Sequence, residues 1–362
     1  MKLPFLALPI CLVMSVVCDA YAQASDKTMP DAKAKTPATP AKAEPHMQKV
    51  LDALGTLGGK PMETLTAAEA RKQPTPADAV KKVLQQQGKS TEPEAVGDLK
   101  HMTIKGLHGD IPIHVYTPKG KGGPFPVMVY YHGGGWVIAD TKTYDSSPRA
   151  LANGAEAIMV AVDYHQAPEF KFPAAADDAF SAYQWVLEHA KEINGDATRV
   201  AVGGESAGGN LATVVALMAR DKNVAMPVYQ LLVYPITDYA FDTPSYIANA
   251  AAKPLNKPMM QWFFKQYLGK EADGSNPYVS PLKAKSLKGL PPATVITVEI
   301  DPLMSEGKAY ADRLKADGVA VNYKHYAGVT HEFFGMGGVV PLAKEAEMLA
   351  AADLKKAFAK AK

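Results

Sequence analysis

From about residue 100 onward, short runs rich in β-branched residues alternate with longer runs of helical periodicity, and this alternation constrains the fold more than any other feature. It is typical of a parallel sheet with helices on both faces, because parallel strands need a crossover, usually a helix, to return to the same edge. We therefore predict the α/β class, with a mostly parallel central sheet flanked by helices. The predicted strands are Ile111–Thr117, Val127–Tyr131, Ile158–Val162, Val200–Gly203, Gln230–Tyr234, Thr294–Glu299 and Val321–Tyr326. The predicted helices are Asp177–Glu192, Gly208–Arg220, Glu306–Asp317 and Leu342–Ala359.

Two segments depart from this alternation. Between His46 and Gly97 apolar residues recur at helical spacing, Thr66–Glu69 reads as a capping box, and a third helix is predicted over Ala77–Gln87. The second segment, Thr237–Gly269, is longer than a simple crossover and rich in aromatic residues. We predict a helical block over residues 46–100 and a main domain over 101–362 that carries an insertion at about 237–269.

The first 22 residues have the pattern of a signal peptide. Lys2 precedes the apolar stretch Leu3–Val17, and Ala20-Tyr21-Ala22 is a small-x-small cleavage sequence. An uncleaved anchor is the alternative, but the apolar run is shorter than the ~20 residues that span a bilayer. Lipid attachment at Cys18 is a weaker alternative, since the residues before it do not form a convincing lipobox. We expect export to the periplasm or secretion, with no membrane span after cleavage.

Composition excludes several functional classes. Both cysteines, Cys11 and Cys18, lie within the predicted signal peptide, so the mature chain would have no disulfide, thiol nucleophile or Cys-ligated zinc. The formal net charge is +2 with no basic run, which argues against a nucleic-acid partner. Residues 23–45 consist mainly of Ala, Lys, Thr, Pro and Asp, a composition that predicts a disordered linker.

Gly204-Glu205-Ser206-Ala207-Gly208 lies between a predicted strand and a predicted helix. A GxSxG sequence in this context is typical of a tight turn that needs small residues beside the serine. The turn raises the hydroxyl to a helix N-terminus, where backbone N–H groups favour negative charge. A glycine-rich turn without chemistry is the alternative interpretation. We predict that Ser206 is a nucleophile.

His132-Gly133-Gly134-Gly135-Trp136 follows another predicted strand. Successive glycines allow the backbone to turn its N–H groups toward a developing oxyanion. By itself this sequence also fits a hinge or a phosphate-binding loop. Together with the serine turn it predicts an oxyanion hole formed by Gly133, Gly134 and Ala207.

A serine nucleophile requires a base, and the base requires an acid that fixes its tautomer. Asp301 follows one late predicted strand and His331 follows the next, at the sheet edge where open α/β sheets place their sites. Glu299 and Glu306 compete with Asp301, but the first lies in the strand and the second in the helix. The remaining histidines precede the predicted acid or lie within a strand: His46, His101, His108, His114, His132, His165, His189 and His325. We predict the triad Ser206, His331 and Asp301.

In combination, these motifs resemble those of the hormone-sensitive lipase family of α/β hydrolases, also called bacterial family IV esterases. His132–Trp136 is similar to the family's HGGGW, Gly204–Gly209 to GDSAGG, Asp301–Gly307 to DPLxDEG and His331 to its late histidine. The resemblance covers residues 46–360. It implies an α/β-hydrolase fold with a helical cap built from residues 46–97 and 237–269. It also implies a carboxylic ester hydrolase for short to medium acyl esters, acting on a small-molecule substrate through an acyl-enzyme without cofactor or metal.

The sequence departs from the family pattern at a few positions. Glu205 replaces the usual Asp, His165-Gln166 stand where Arg-Leu is usual, and Ser305 replaces an Asp. The loop Asp163–Glu169 is interpreted as structural, with carboxylates that bond backbone amides. An amidase or aryl-formamidase with the same triad is the alternative enzyme, and a non-catalytic binding protein on a hydrolase scaffold is the alternative of another class. The sequence leaves a monomer and a homodimer as alternatives.

Overall fold

The computed structural model describes Met1, residues 41–120 and residues 122–361. Its centre is one sheet of eight strands in the order β1-β2-β4-β3-β5-β6-β7-β8. The strands are β1 Asp98–Gly106, β2 Gly109–Thr117, β3 Phe125–Tyr131, β4 Ile158–Val162, β5 Gly195–Glu205, β6 Gln230–Val233, β7 Ala293–Ile300 and β8 Val321–Thr330. The β1–β2 and β2–β4 pairs are antiparallel and all later pairs are parallel, so the predicted class and sheet type are confirmed.

Helices cover both faces of the sheet. Side chains of β3 show how the two cores arise: Val127, Val129 and Tyr131 face one core, whereas Met128 and Tyr130 face the other. This period of two is that of a strand buried on both faces. The helices are α1 Pro45–Gly55, α2 Ala67–Ala70, α3 Pro76–Gln86, α4 Ser146–Ala155, α5 Ala174–His189, α6 Ala207–Asp221, α7 Pro244–Ala248, α8 Lys257–Tyr267, α9 Met304–Ala316 and α10 Pro341–Lys360. Helices α5, α6 and α9 line the first core, and α4 and α10 line the second together with α1 and α3.

Two elements escaped the sequence analysis. Among the described strands, β1 is paired only with β2, and it is largely exposed, so its sequence lacks the apolar run of a central strand. Helix α4 begins with Ser146-Ser147-Pro148 and carries Gly154 near its end, which weakens its helical signal. Because β1 starts at Asp98, the helical block ends before the predicted residue 100.

The N-terminal predictions fall mostly outside the described residues. Residues 2–22 of the predicted signal peptide and residues 23–40 of the predicted linker lie there. The linker prediction is wrong at its end, because Pro45 is already the first residue of α1 and the Glu44 carboxylate caps that helix through the Met47 N–H at 2.8 Å. Among the helices of the described ranges, none is both long and apolar enough to cross a membrane.

The two segments outside the alternation meet each other. The indole Nε1 of Trp262 in α8 donates to the carbonyl of Leu65, which precedes α2, at 3.1 Å. The capping box predicted at Thr66 and Glu69 is present and starts α2. The N-terminal block and the insertion are therefore joined directly.

Candidate active site

Ser206 is the single residue between the end of β5 and the start of α6. Its φ of 57° and ψ of −117° lie outside the usual regions for an L-residue, a strain found mostly at functional sites. A Cβ on Gly204 or Gly208 would collide with the Tyr131 carbonyl, so glycine is required on both sides of the turn. The turn thus holds the serine at a helix N-terminus, as its sequence predicts.

The structure brings Ser206, His331 and Asp301 together. Ser206 Oγ lies 2.9 Å from His331 Nε2, and His331 Nδ1 lies 2.8 Å from Asp301 Oδ2. Asp301 directly follows β7 and His331 directly follows β8, while the Leu303 N–H donates to the other Asp301 oxygen at 2.8 Å. With the proton on Nδ1, His331 donates to Asp301 and accepts from the serine hydroxyl. The arrangement is that of a nucleophile, a base and an acid that orients the base.

These three side chains are shielded from water. The relative exposures are 4% for Ser206, 2% for His331 and 0% for Asp301. Burial lowers the pKa of His331, but the charge and hydrogen bond of Asp301, together with the charges of Glu332 and Glu205, outweigh burial, so this pKa lies above its ordinary value. A base with a raised pKa accepts the serine proton more readily.

The glycine loop after β3 places backbone donors beside the serine turn. In the described part of the chain, the N–H groups of Gly133, Gly134 and Ala207 donate to no acceptor. Ala207 is the first residue of α6, where an N–H has no partner within the helix. Gly134 has a φ of 94°, and a Cβ there would collide with the Ile138 carbonyl. Only glycine fits this conformation at residue 134. Because the three N–H groups have no acceptor among the described residues, they are available to an oxyanion.

Aromatic residues of the insertion cover the loop. Trp136 stacks on Tyr267 of α8 with ring centroids 4.1 Å apart, and a Cβ on Gly135 would collide with the Phe263 ring. Arg71, from the N-terminal block, donates to the carbonyls of Val137 at 2.8 Å and Ala167 at 2.9 Å. Both cap segments therefore contact the loop that carries the candidate oxyanion donors.

Sequence reasoning missed a cluster of acids and tyrosines behind the triad. The Glu205 carboxylate, fully buried, accepts hydrogen bonds from Tyr130 and Tyr234. Burial raises the pKa of Glu205 to about 7, although these hydrogen bonds oppose the shift. Tyr144 donates to both oxygens of Glu332, each at 2.7 Å. The positions of these tyrosines depend on long-range packing, and no local motif signals them.

The other departures from the family pattern occupy structural positions. The Ser305 hydroxyl accepts from the Ser245 N–H at 3.1 Å, which links α9 to α7. In the 163–169 loop, Asp163 accepts from the Thr141 N–H at 2.7 Å, as predicted. Glu169 pairs with the Arg71 guanidinium at 2.6 Å, a contact that the sequence did not predict.

Comparison with known proteins gives consistent matches. A family model described as the α/β hydrolase fold matches residues 128–335. The chain is 42% identical over 255 residues to the carboxylic ester hydrolase LipN of Mycobacterium tuberculosis, which covers 68% of each chain. It is 36% identical over 296 residues to the ethyl acetate hydrolase of Pseudomonas putida, covering 80% of this chain and 91% of that protein.

A solved structure shows the same architecture. The crystal structure of a thermostable esterase from Pseudomonas putida matches with a TM-score of 0.80 and 39% identity, covering 88% of this chain and 98% of that one. The resemblance found in the sequence motifs is confirmed.

Proposed function

The chain belongs to the hormone-sensitive lipase family of the α/β-hydrolase fold, and from this membership we propose that it is a carboxylic ester hydrolase with Ser206 as nucleophile. The observation that carries the proposal is the hydrogen-bonded chain from Ser206 through His331 to Asp301, beside backbone N–H groups that have no acceptor among the residues that the structure describes. Relatives named carboxylic ester hydrolase and ethyl acetate hydrolase support the choice of an ester substrate.

The acylation step follows from the geometry. His331 Nε2 takes the Ser206 hydroxyl proton as Oγ attacks the ester carbonyl, and the negative charge that develops on the carbonyl oxygen is held by the N–H groups of Gly133, Gly134 and Ala207. Asp301 stabilises the resulting imidazolium. The imidazolium then gives its proton to the departing alkoxide, which leaves as the alcohol and leaves Ser206 acylated.

Deacylation uses the same groups with water as the nucleophile. His331 takes a proton from water, the hydroxide attacks the acyl carbonyl, and the same N–H groups hold the second oxyanion. Collapse of this intermediate returns the proton to Ser206 Oγ and releases the carboxylic acid. This chain supplies the nucleophile, the base, the acid and the oxyanion donors.

Ser206→Ala tests the assignment. We expect kcat on p-nitrophenyl acetate to fall by ~10⁶-fold, because the triad acts as a unit. An organophosphonate should label the wild-type serine and leave the variant unlabelled. An alanine variant within tenfold of wild type would refute the proposal, and faster turnover of amides than of matched esters would assign an amidase instead.

We propose that short to medium acyl chains are preferred. The support is the family resemblance, the burial of Ser206, and the stacking of Trp136 in the glycine loop on Tyr267 of the insertion. We measure kcat/KM across p-nitrophenyl esters from acetate to palmitate. The highest value is expected for acyl chains of about eight carbons or fewer, because a restricted pocket accommodates only a short chain. A maximum at palmitate contradicts this preference.

We also propose export with cleavage after Ala22, on the evidence of the N-terminal pattern alone. The test is N-terminal sequencing of the protein recovered from the periplasm or medium of a bacterial host. The mature protein should begin at Gln23. An intact Met1 on cell-bound protein contradicts cleavage.

A further inference from the structure

Glu332, the residue after His331, has an unusual backbone conformation. Its φ is 71°, in the left-handed region that favours glycine, and a long side chain there stores strain. Such strain persists only where other contacts offset it. We therefore expect contacts of the Glu332 side chain to offset the strain of its backbone.

The Glu332 carboxylate is held in place between two elements of the site. Both of its oxygens accept from Tyr144 Oη at 2.7 Å, and Oε1 lies 3.7 Å from His331 Nε2. A Cβ on Gly133 would collide with the same tyrosine hydroxyl, so Tyr144 packs directly behind the oxyanion loop. The carboxylate is thus fixed near the proton-transfer nitrogen of the base.

The surroundings of His331 are strongly acidic. Asp301 contacts Nδ1 at 2.8 Å, Glu332 lies near Nε2, and the buried Glu205 adds its negative potential to both when it is ionised. Two other groups that lie against the ring are neutral: the Ser206 hydroxyl and the ring of Tyr234, 4.4 Å from the imidazole centroid. Burial raises the pKa of Glu332 while the charge of His331 lowers it, so ionisation of the two groups is linked.

We propose that Glu332 is a positioning residue for the base, holding its carboxylate beside Nε2 so that the imidazolium formed during proton transfer is stabilised from both sides. The proposal rests on the proposed ester hydrolase function. When Ser206 Oγ–H transfers its proton to Nε2, positive charge appears on the ring 3.7 Å from this carboxylate. Opposite charges at this separation favour the charged imidazole.

The test is the pH profile of Glu332→Gln. Activity requires neutral His331, so the acidic limb of kcat/KM reports its apparent pKa in the free enzyme. Loss of the Glu332 charge should move this limb to lower pH by about one unit, since a nearby opposite charge shifts a pKa by that order. The same shift should appear in the rate of inactivation by diethyl p-nitrophenyl phosphate, which needs only the activated serine.

Glu347→Gln is the matched control. Glu347 is a buried carboxylate that lines the same cavity of about 530 Å³ as Glu332, but it bonds Lys344 at 3.3 Å and the Gly337 N–H. The acidic limb of the kcat/KM profile of Glu347→Gln should coincide with that of wild type. A Glu332→Gln limb within 0.2 pH unit of wild type overturns the proposal, as does an equal shift in Glu347→Gln.

Glu332→Gly is a second variant that removes the carboxylate and at the same time relieves the backbone strain at this position. Glycine accepts a φ of 71° without strain but removes the carboxylate that accepts from Tyr144, so urea denaturation of this variant is measured to verify that it folds. The acidic limb should still shift as in the glutamine variant, and a wild-type limb overturns the proposal. Wild-type protein that reacts with neither the ester nor the organophosphate would refute the hydrolase function, whereas reactive wild type with an unshifted Glu332→Gln refutes only the role of Glu332.

Discussion

At the scale of single residues, the candidate site depends on backbone positions that only particular side chains tolerate. Ser206 occupies a strained turn whose flanking positions 204 and 208 accept only glycine, because a Cβ there would collide with the Tyr131 carbonyl. Gly134 has a positive φ, and a Cβ on it would collide with the Ile138 carbonyl. The strain orients one hydroxyl toward one imidazole, with Ser206 Oγ 2.9 Å from His331 Nε2. Precision in this contact comes from backbone geometry and not from side-chain chemistry alone.

Asp301→Asn tests the role of the acid in orienting His331. The amide removes the negative charge and can donate to Nδ1, which stabilises the tautomer whose Nε2 carries the proton and cannot accept from serine. We expect kcat on p-nitrophenyl acetate to fall by ~10⁴-fold, as in other serine triads. Urea denaturation of the same variant checks that folding is retained. A loss below tenfold would show that the aspartate does not orient the base.

At the scale of elements, the cap is tied to the oxyanion loop by one guanidinium. Arg71, just after α2, donates to the carbonyls of Val137 and Ala167 and pairs with Glu169. The planar guanidinium has several N–H donors in fixed directions, so it can bond both carbonyls and the carboxylate, which lie on two different loops. The position of the N-terminal block above the site is therefore linked to the loop that carries Gly133.

Arg71→Ala should loosen this link. The exposed ion pair contributes little, since Glu169 is half-exposed, but each carbonyl bond contributes about 1 kcal/mol. We expect a loss of about 2 kcal/mol in the free energy of unfolding and a rise in KM, measured by urea denaturation and ester kinetics. Arg71→Lys should recover only part of this loss, because an ammonium cannot reach all acceptors.

Arg199→Ala is the control for a lost arginine. Arg199 pairs with Asp196 and donates to the Pro124 carbonyl, away from both cap segments. It should lower stability by a similar order and leave KM unchanged. An Arg71→Ala variant with wild-type KM contradicts the proposed link between cap and loop.

At the scale of the whole molecule, two apolar cores enclose several buried carboxyl groups. Burial raises the pKa values of Glu205, Glu306 and Glu347. A carboxyl whose pKa is higher in the folded chain contributes stability below its unfolded pKa, and this contribution is lost as pH rises through the folded value. These groups therefore make the fold more stable in mild acid than at neutral pH.

Glu205→Gln isolates one such contribution. The pKa of Glu205 rises from 4.5 to about 7, so wild type should lose about 3 kcal/mol of unfolding free energy relative to the variant between these two pH values. Urea denaturation of both proteins at pH 4.5, 6 and 8 measures this difference. A difference that does not change with pH would show that Glu205 titrates normally.

The sequence by itself determined the features that local patterns encode. Strand and helix periodicity predicted seven of the strands and the parallel sheet, since each strand of a buried sheet must be apolar. The GxSxG turn and the glycine loop carry their own backbone requirements, so their neighbours along the chain reveal them. Chain order then selected Asp301 and His331, because sites of parallel sheets lie at the strand ends.

Only the tertiary structure decided which distant side chains surround these groups. Tyr144 and Glu332 are separated by 188 residues and Arg71 and Glu169 by 98, so no local period relates the members of either pair. The exposed strand β1 and the short helix α4 likewise owe their form to their packing partners. Local sequence encodes backbone conformation and places Glu332 next to the base along the chain, but contacts between elements depend on how the whole chain packs, and it is packing that brings Tyr144 to the Glu332 carboxylate.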